Sequence, residues 1–239
     1  MAGSAVAKAK SLYASGARGA GKVLTRVGIL GEDPPPRAKR WKHWAFSLTR
    51  AHDSLAIAEL DVPWWTYDAI DVVERWIEAR PKPVRVFEWG SGASTLWLAR
   101  RVDAITTVEH HKGFADHIAP TLAEHANITS LVVEPVDSTT PKVPSAKEGH
   151  KGLDFADYVA AIDGAGGPFD LIVIDGRARE ACLRAAIPHL ADGGIIVFDN
   201  TKRRRYREAM AAAPVTVEAH KGLTPTLPYP DETSICRKA

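Results

Sequence analysis

Along the chain, the spacing of apolar positions changes near Pro83. From there on, short apolar runs alternate with stretches in which apolar residues recur every three or four positions. The runs at 171–174 and 195–198 contain no polar residue, which is the pattern of strands buried on both faces. Regular alternation of strand and helix predicts an α/β fold, a mostly parallel sheet with helices on both faces. We expect seven strands, near residues 85–88, 105–109, 130–134, 170–175, 194–199, 215–219 and 232–236.

The amphipathic stretches between these runs predict helices near residues 94–101, 114–123, 155–162, 180–190 and 204–212. A further helix is expected before the first strand, with Thr66 as its N-terminal cap and an end near Arg80. Pro81 and Pro83 end this helix because proline has no amide hydrogen to donate. Residues 138–153 are rich in proline, lysine, serine and glycine, and they are predicted to form a surface loop.

The predicted organisation has three parts: a basic N-terminal extension (1–36), a helical preface rich in aromatic residues (37–82), and an α/β domain (83–239). The first 50 residues contain ten lysines and arginines but only two acids, Glu32 and Asp33. Three interpretations of the extension remain open. It is a weakly amphipathic arm that contacts an anionic membrane surface, an organellar transit peptide, or a solvated extension.

Composition narrows the class of protein. With 239 residues, of which 45% are hydrophobic, the chain is long enough for one α/β domain with additions. No uncharged apolar run approaches the ~18 residues of a membrane-spanning helix. Cys182 and Cys236 match no zinc-ligand spacing, and we expect them to be free thiols in the cytoplasm. Beyond residue 50 the acids outnumber the bases, which argues against a nucleic-acid partner.

Candidate chemistry begins at the first predicted strand, which leads into the sequence FEWGSGAST at 87–95. Gly90 and Gly92 let the backbone turn sharply and let a ligand approach closely. Thr95 stands where a dinucleotide-binding fingerprint requires a third glycine. Glu88 places a carboxylate where a diphosphate is repelled and a cationic amino-acid group is attracted. The turn therefore favours a ligand with an amino-acid part over a dinucleotide.

Further polar residues follow the later strands. Glu109 ends the second predicted strand, where an acid is suited to accept hydrogen bonds from both hydroxyls of a ribose. Asp175 ends the fourth strand, and Asp199 ends the fifth and is followed by Asn200. Because the carboxyl ends of parallel strands meet at one edge of the sheet, we expect these residues to face one ligand site.

Taken in order, these motifs resemble those of the class I S-adenosylmethionine-dependent methyltransferases over roughly residues 60–238. The resemblance implies a Rossmann-like sheet of seven strands whose last strand is antiparallel, with S-adenosyl-L-methionine as the cofactor. In that family the glycine turn passes the methionine part, the acid after the second strand holds the ribose, and a polar residue after the third strand lies near the adenine. The corresponding candidates for cofactor binding here are Glu88, Gly90, Ser91, Gly92, Ser94, Thr95, Glu109, His110, Asp137, Ser138 and Asp175.

The same resemblance implies methyl transfer to oxygen, with a small molecule or a glycan as the acceptor. An acceptor hydroxyl must lose its proton during such a transfer, and Asp175 and Asp199 are the candidate catalytic carboxylates. Together with Asn200 they also resemble the metal ligands of the catechol-type O-methyltransferases, an oxygen set that suits Mg²⁺. Positive charges close by, Arg177 and Arg179 among them, compete with a bound cation, so a divalent metal is not favoured.

Several alternatives stay open on sequence alone. One is a nicotinamide-dependent oxidoreductase on a similar sheet, although Thr95 and Glu88 count against it. Another is a non-catalytic module that binds a partner through the basic extension. The basic run at 202–205, extended by Arg207, is either a clamp for an acidic group of the acceptor or a solvated helix start. Residues 64–67 either cover the cofactor or pack in the core.

Overall fold

A computed structural model describes residue 31 and residues 33–50 and 57–239, so the predictions for residues 1–30 lie outside the described part. Within those ranges, no helix is both long and apolar enough to cross a membrane. A 3₁₀ turn covers Leu48–Arg50. The α-helices are α1 (Arg40–Ser47), α2 (Tyr67–Ala79), α3 (Ala93–Ala99), α4 (Lys112–Leu122), α5 (Ala156–Ala160), α6 (Arg179–His189) and α7 (Arg204–Ala211).

The strands form one large sheet and one small hairpin. They are β1 (Arg85–Trp89), β2 (Ala104–Glu109), β3 (Ile128–Val132), β4 (Val136–Asp137), β5 (Leu153–Asp154), β6 (Phe169–Ile174), β7 (Leu190–Asp199), β8 (Val215–Gly222) and β9 (Asp231–Lys238). The large sheet has seven strands in the order β3-β2-β1-β6-β7-β9-β8. Neighbours are parallel except at β9, which is antiparallel to both β7 and β8. The predicted fold class and the antiparallel last strand are therefore confirmed.

Helices cover both faces of the sheet and give it two cores. Val73 of α2 and Trp97 of α3 belong to the core on one face, and Leu183 of α6 belongs to the core on the other. Along β6, Val173 joins the first core, whereas Ile172 joins the second. Burial of one such side chain contributes ~1.5–3 kcal/mol. The apolar runs in the sequence are uninterrupted because each inner strand supplies both cores.

The strand order reverses beside β1. From β1 the chain moves outward through β2 to β3, and it then returns to the other side of β1 as β6. The connections after β1 and β6 therefore leave the sheet in different directions, and a crevice opens between them at the carboxyl ends of the strands. The sequence predicts a ligand site at this edge of the sheet.

The helical preface packs on the domain and holds the loop between β8 and β9. The indole Nε1 of Trp44 donates to the carbonyl oxygen of Leu227 at 2.8 Å, and that of Trp64 donates to Thr226 Oγ1 at 2.8 Å. Trp65 is fully buried and belongs to the same core as α2 and α3. The preface is thus part of the folded domain as well as a support for one wall of the crevice.

Two local features differ from the prediction. Thr66 precedes α2 at the cap position, but its hydroxyl donates to the carbonyl oxygen of His220 at 3.2 Å rather than capping the helix. Residues 138–153 are not a plain loop, because β4 and β5 pair at their base. The Asp154 carboxylate fixes this base by accepting from the amides of Lys142 and Val143 at 2.8 and 2.9 Å.

Candidate active site

A cavity of about 870 Å³ opens at the carboxyl ends of β1, β2, β6 and β7. Its walls come from the glycine turn after β1, from the loops after β2, β6 and β7, and from the loop between β8 and β9. The lining residues are Trp64, Gly90, Ser91, Gly92, Ala93, Ser94, Glu109, His110, His111, Phe114, His150, Asp175, Gly176, Arg177, Arg179, Asp199, Asn200, Arg203, Thr226, Leu227, Pro228, Tyr229 and Asp231.

The two glycines of the turn do different things. Gly90 has a φ of +101°, and a Cβ on it would lie 2.8 Å from the backbone nitrogen of Gly176. This position therefore requires glycine, because the turns after β1 and β6 touch there. A Cβ on Gly92 would meet nothing within 4 Å. Gly92 lines the cavity, so its missing side chain leaves room for a ligand.

Glu88 lies beneath the turn rather than in the cavity. Its side chain is fully buried and accepts hydrogen bonds from the hydroxyls of Ser94, Thr95 and Thr107. Thr95 Oγ1 in turn accepts from the Gly92 amide at 2.9 Å. Burial raises the pKa of Glu88 to about 7. Neither Glu88 nor Thr95 lines the cavity, so the structure gives both a supporting position under the turn instead of the predicted contact with the cofactor.

Glu109 lies in the cavity at the end of β2. Its Oε1 accepts from the backbone amides of His110 and His111 at 2.9 and 2.8 Å, which fixes the carboxylate. Among the described residues, no hydrogen bond engages its Oε2. His110 lines the same wall, with its ring centroid 5.9 Å from that of His150.

Asp137 and Ser138 are not brought to the cavity. Asp137 is exposed in β4, and Ser138 is tied to the hairpin by its amide, which donates to the carbonyl oxygen of Gly152 at 2.7 Å. Both residues belong to the segment that β4 and β5 close, and neither lines the cavity, so the lining does not support the predicted adenine contact. His150, from the same irregular segment, lines the cavity instead, and burial lowers its pKa. No periodic pattern marks His150 in the sequence.

The two predicted catalytic carboxylates meet at the buried guanidinium of Arg179. Its Nη2 donates to Asp175 Oδ1 at 2.7 Å, and its Nη1 lies 3.8 Å from Asp199 Oδ2. Thr233 Oγ1 donates to Asp199 Oδ1 at 2.7 Å. Burial, and then the charge of Asp175, raise the pKa of Asp199 to about 8. Burial raises the pKa of Asp175 as well, while the charge of Arg179 acts to lower it.

The resemblance to a metal site fails on the donor atoms. Asp175 is paired with Arg179, and Asp199 accepts from Thr233. Asn200 Nδ2 donates to Asp231 Oδ2 at 3.0 Å, which ties the side chains of these two residues together. Within the described ranges, no group of three or more His, Cys, Asp or Glu side chains is arranged to hold a metal ion. The residues present do not fit a divalent cation.

Residues 202–205 divide between surface and cavity. Arg203 lines the cavity and forms no ion pair with any described carboxylate. Arg204 pairs with Glu208 at 2.7 Å, and Arg205 pairs with Glu180 at 3.2 Å. The sequence shows four consecutive basic residues and does not distinguish among them. The packing of α7 on the domain determines which of these side chains faces the cavity.

Fold and cavity together define the class of an α/β protein with a ligand-sized cavity at the carboxyl edge of a doubly covered sheet. Residues 87–201 match the family model for a methyltransferase domain. This match covers just under half of the chain, and it agrees with the resemblance to the class I S-adenosylmethionine-dependent methyltransferases. The nicotinamide-dependent oxidoreductase is thereby set aside. No curated protein matches the sequence.

Solved structures with the same fold are distant in sequence. A Staphylococcus aureus protein provisionally described as a caffeoyl-CoA O-methyltransferase aligns with a TM-score of 0.52 and 14% identity, covering 75% of this chain and 87% of that one. A precorrin 8w decarboxylase from Methanobacterium thermoautotrophicum aligns at 0.49 and 16% identity, covering 74% and 93%. TrmN from Thermus thermophilus aligns at 0.49 and 15% identity, covering 76% and 49%. At such identities, the likeness to the first of these concerns the fold.

Proposed function

We propose that the protein transfers a methyl group from S-adenosyl-L-methionine to a hydroxyl of a small-molecule or glycan-type acceptor. The observation that carries this proposal is the continuity of one cavity from the glycine turn and Glu109 to Asp199. A cavity of that extent can hold a nucleoside and an acceptor side by side. Alignment of two reactants in this way supplies about 7–11 kcal/mol toward the barrier.

The residues around Glu109 fit the cofactor. Two backbone amides hold its Oε1, which leaves Oε2 to accept from a ribose hydroxyl. Ser91 and Ser94 line the cavity beside the open space at Gly92, where their hydroxyl oxygens suit an ammonium group. When bound, the cofactor supplies a methyl group on a positively charged sulfur. The acids of the cavity attract that charge.

Asp199 is suited to take the proton of the acceptor. It lines the cavity while only 3% exposed, and the Thr233 hydroxyl orients its carboxylate. Its pKa of about 8 lies close to neutral pH, where a carboxylate base is effective. Asp175 Oδ1 accepts from Arg179, so this oxygen is not free to act as a second base.

The cavity wall formed by Trp64 and the loop between β8 and β9 determines which kind of acceptor fits. Trp64, Leu227, Pro228 and Tyr229 provide an apolar and aromatic lining against which a sugar or aromatic ring can pack. Arg203 adds a cation without a carboxylate partner among the described residues, which suits an acceptor that carries an acidic group. Both features agree with a small polar acceptor that has one flat face.

Cofactor binding is tested by calorimetric titration with S-adenosylhomocysteine. We expect Glu109→Ala to weaken binding about tenfold or more, because loss of a charge-assisted hydrogen bond costs ~1.5–3 kcal/mol. Glu134→Ala, which removes an exposed acid after β3, is the matched control and should bind like the wild type. An unchanged affinity in Glu109→Ala would show that the ribose assignment is wrong.

Transfer is tested with labelled S-adenosyl-L-methionine against metabolite and glycan extracts, followed by mass identification of the product. With that acceptor, we expect Asp199→Asn to lower kcat about 10²–10⁴-fold, while the affinity for S-adenosylhomocysteine stays unchanged. Wild-type kcat should rise with pH toward 8, because the base acts only when it is ionised. Asp192→Asn, at an exposed position on β7, is the control. Full activity in Asp199→Asn would refute the role given to this carboxylate.

A further inference from the structure

Arg179 occupies the place between Asp175 and Asp199 at the carboxyl ends of β6 and β7. It is the first residue of α6, one helical turn after Asp175, and it is 5% exposed. The loop after β6 and the end of β7 both converge on its side chain. A set of oxygen ligands at this edge would hold a divalent cation if the space between them were empty.

Four hydrogen bonds fix the guanidinium. Its Nε donates to the carbonyl oxygen of Gly176 at 3.0 Å, and its Nη1 donates to that of Asp199 at 2.7 Å. Its Nη2 donates to both the carbonyl oxygen and Oδ1 of Asp175, each at 2.7 Å. Its Nη1 also lies 3.8 Å from Asp199 Oδ2, within ion-pair distance. Four of the five N–H groups of the guanidinium are therefore committed to the protein.

One further oxygen that a cation would use is engaged, because Asp199 Oδ1 accepts from Thr233. A cation would have to displace Arg179, whose own charge repels it. Burial without these bonds would leave a guanidinium and two carboxylates unpaired, which is strongly unfavourable.

We propose that Arg179 is a positioning residue that takes the electrostatic place of a divalent cation. It holds the Asp175 and Asp199 carboxylates in fixed positions and keeps Mg²⁺ and Mn²⁺ out of the site. The catalytic half of this inference rests on the proposed methyl transfer, whereas the exclusion of cations stands without it. One consequence concerns the acceptor: without a cation to chelate, an acceptor needs a single hydroxyl and not a pair of neighbouring ones.

The exclusion of cations is tested by titrating the full-length protein with Mn²⁺ and following free Mn²⁺ by electron paramagnetic resonance. We expect no binding by the wild type and no change in its melting temperature between EDTA and Mn²⁺. In Arg179→Ala the two carboxylates lose their cationic partner, so Mn²⁺ binding should appear and the melting temperature should rise with Mn²⁺. Asp199→Asn added to Arg179→Ala should abolish this binding. Arg184→Ala, an exposed position on the same helix, should behave like the wild type.

The positioning role is tested with Arg179→Lys, which keeps the charge but loses the planar fork. We expect it to exclude Mn²⁺ like the wild type and to bind S-adenosylhomocysteine normally. Its kcat should fall about 10–100-fold, because the carboxylates are no longer fixed. A kcat equal to that of the wild type would overturn the positioning role.

If Arg179→Ala fails to fold, measurements on the wild type and on Asp175→Asn also decide the matter. Stoichiometric Mn²⁺ binding that Asp175→Asn removes, or activity that EDTA abolishes and Mg²⁺ restores, would overturn the inference. Full activity in EDTA supports it. Binding of S-adenosylhomocysteine is measured separately. A failure of the proposed function is therefore distinguishable from a failure of the inference about Arg179.

Discussion

At the scale of single residues, the acids at the carboxyl edge differ in what surrounds them. Glu88 is held by three hydroxyl groups, and Asp199 by one hydroxyl and a more distant arginine. Hydroxyls replace the lost water only in part, so burial raises the pKa of both acids, to about 7 and about 8. Burial raises the pKa of Asp175 too, although the guanidinium of Arg179, in direct contact, acts to lower it.

Which acid faces the cavity follows from strand register, which the sequence does not contain. Both Glu88 and Glu109 lie near the ends of adjacent strands, and the sequence predicts that both contact the cofactor. In the sheet, Glu88 pairs with Thr107, whereas Glu109 lies two residues further along β2. Glu88 therefore stops one pair short of the edge and lies under the glycine turn, and Glu109 reaches the cavity.

The raised pKa of Glu88 makes stability depend on pH. Between its ordinary value of 4.5 and about 7, the folded protein binds a proton that the unfolded chain has lost. The stability contributed by this group is therefore complete below pH 4.5 and is lost as pH rises through 7, by an amount on the order of 3 kcal/mol. We expect Glu88→Gln to flatten the fall in the free energy of unfolding between pH 5 and pH 8, measured in urea. Equal slopes in Glu88→Gln, wild type and the exposed control Glu134→Gln would contradict this.

At the scale of elements, the turn between β1 and α3 contributes both to the stability of the fold and to the cavity. Both glycines can be predicted from the sequence, because two glycines between a strand and a helix are a local pattern typical of a ligand-binding turn. The sequence does not separate their roles, because the partner of Gly90 is Gly176, on another loop. The β4–β5 pair was missed for a related reason: two-residue strands carry no periodicity, and Asp154 closes them through backbone amides.

The two glycines should respond differently to alanine. Gly90→Ala meets the β6 loop at 2.8 Å and adopts a strained φ, so we expect a loss of ~2–4 kcal/mol in the free energy of unfolding. Gly92→Ala has open space around it, so it should keep the stability of the wild type. Its methyl group enters the cavity, and the affinity for S-adenosylhomocysteine should fall. Chemical denaturation and calorimetry on both variants measure this, and a stable Gly90→Ala would rule out the loop contact.

At the scale of the whole molecule, the fold follows from the apolar runs and their alternation with helices, and it was predictable for that reason. The position of the preface was not, because its contacts join residues far apart in the chain. Trp44 bonds to a carbonyl 183 residues away, and Trp64 to a hydroxyl 162 residues away. Through these bonds, a segment outside the α/β pattern fixes the wall that we assign to the acceptor.

Loss of a hydrogen bond in that wall should weaken binding of the acceptor and leave binding of the cofactor unchanged. Trp44→Phe removes the bond to Leu227 and should cost about 1 kcal/mol of stability. We expect KM for the acceptor to rise while the affinity for S-adenosylhomocysteine stays the same. Trp41→Phe, at a position 69% exposed on the same helix, is the control. A parallel loss of cofactor affinity in Trp44→Phe would show that the loop serves both ligands.

The position of β9 has a consequence for how the protein is made. During translation β8 leaves the ribosome before β9, yet β9 lies between β7 and β8 in the sheet. A nascent chain that ends before residue 231 has β8 without a neighbour and β7 with an open edge. It also lacks Thr233, the hydroxyl that orients Asp199. Completion of the sheet and orientation of the Asp199 carboxylate therefore depend on the same last strand.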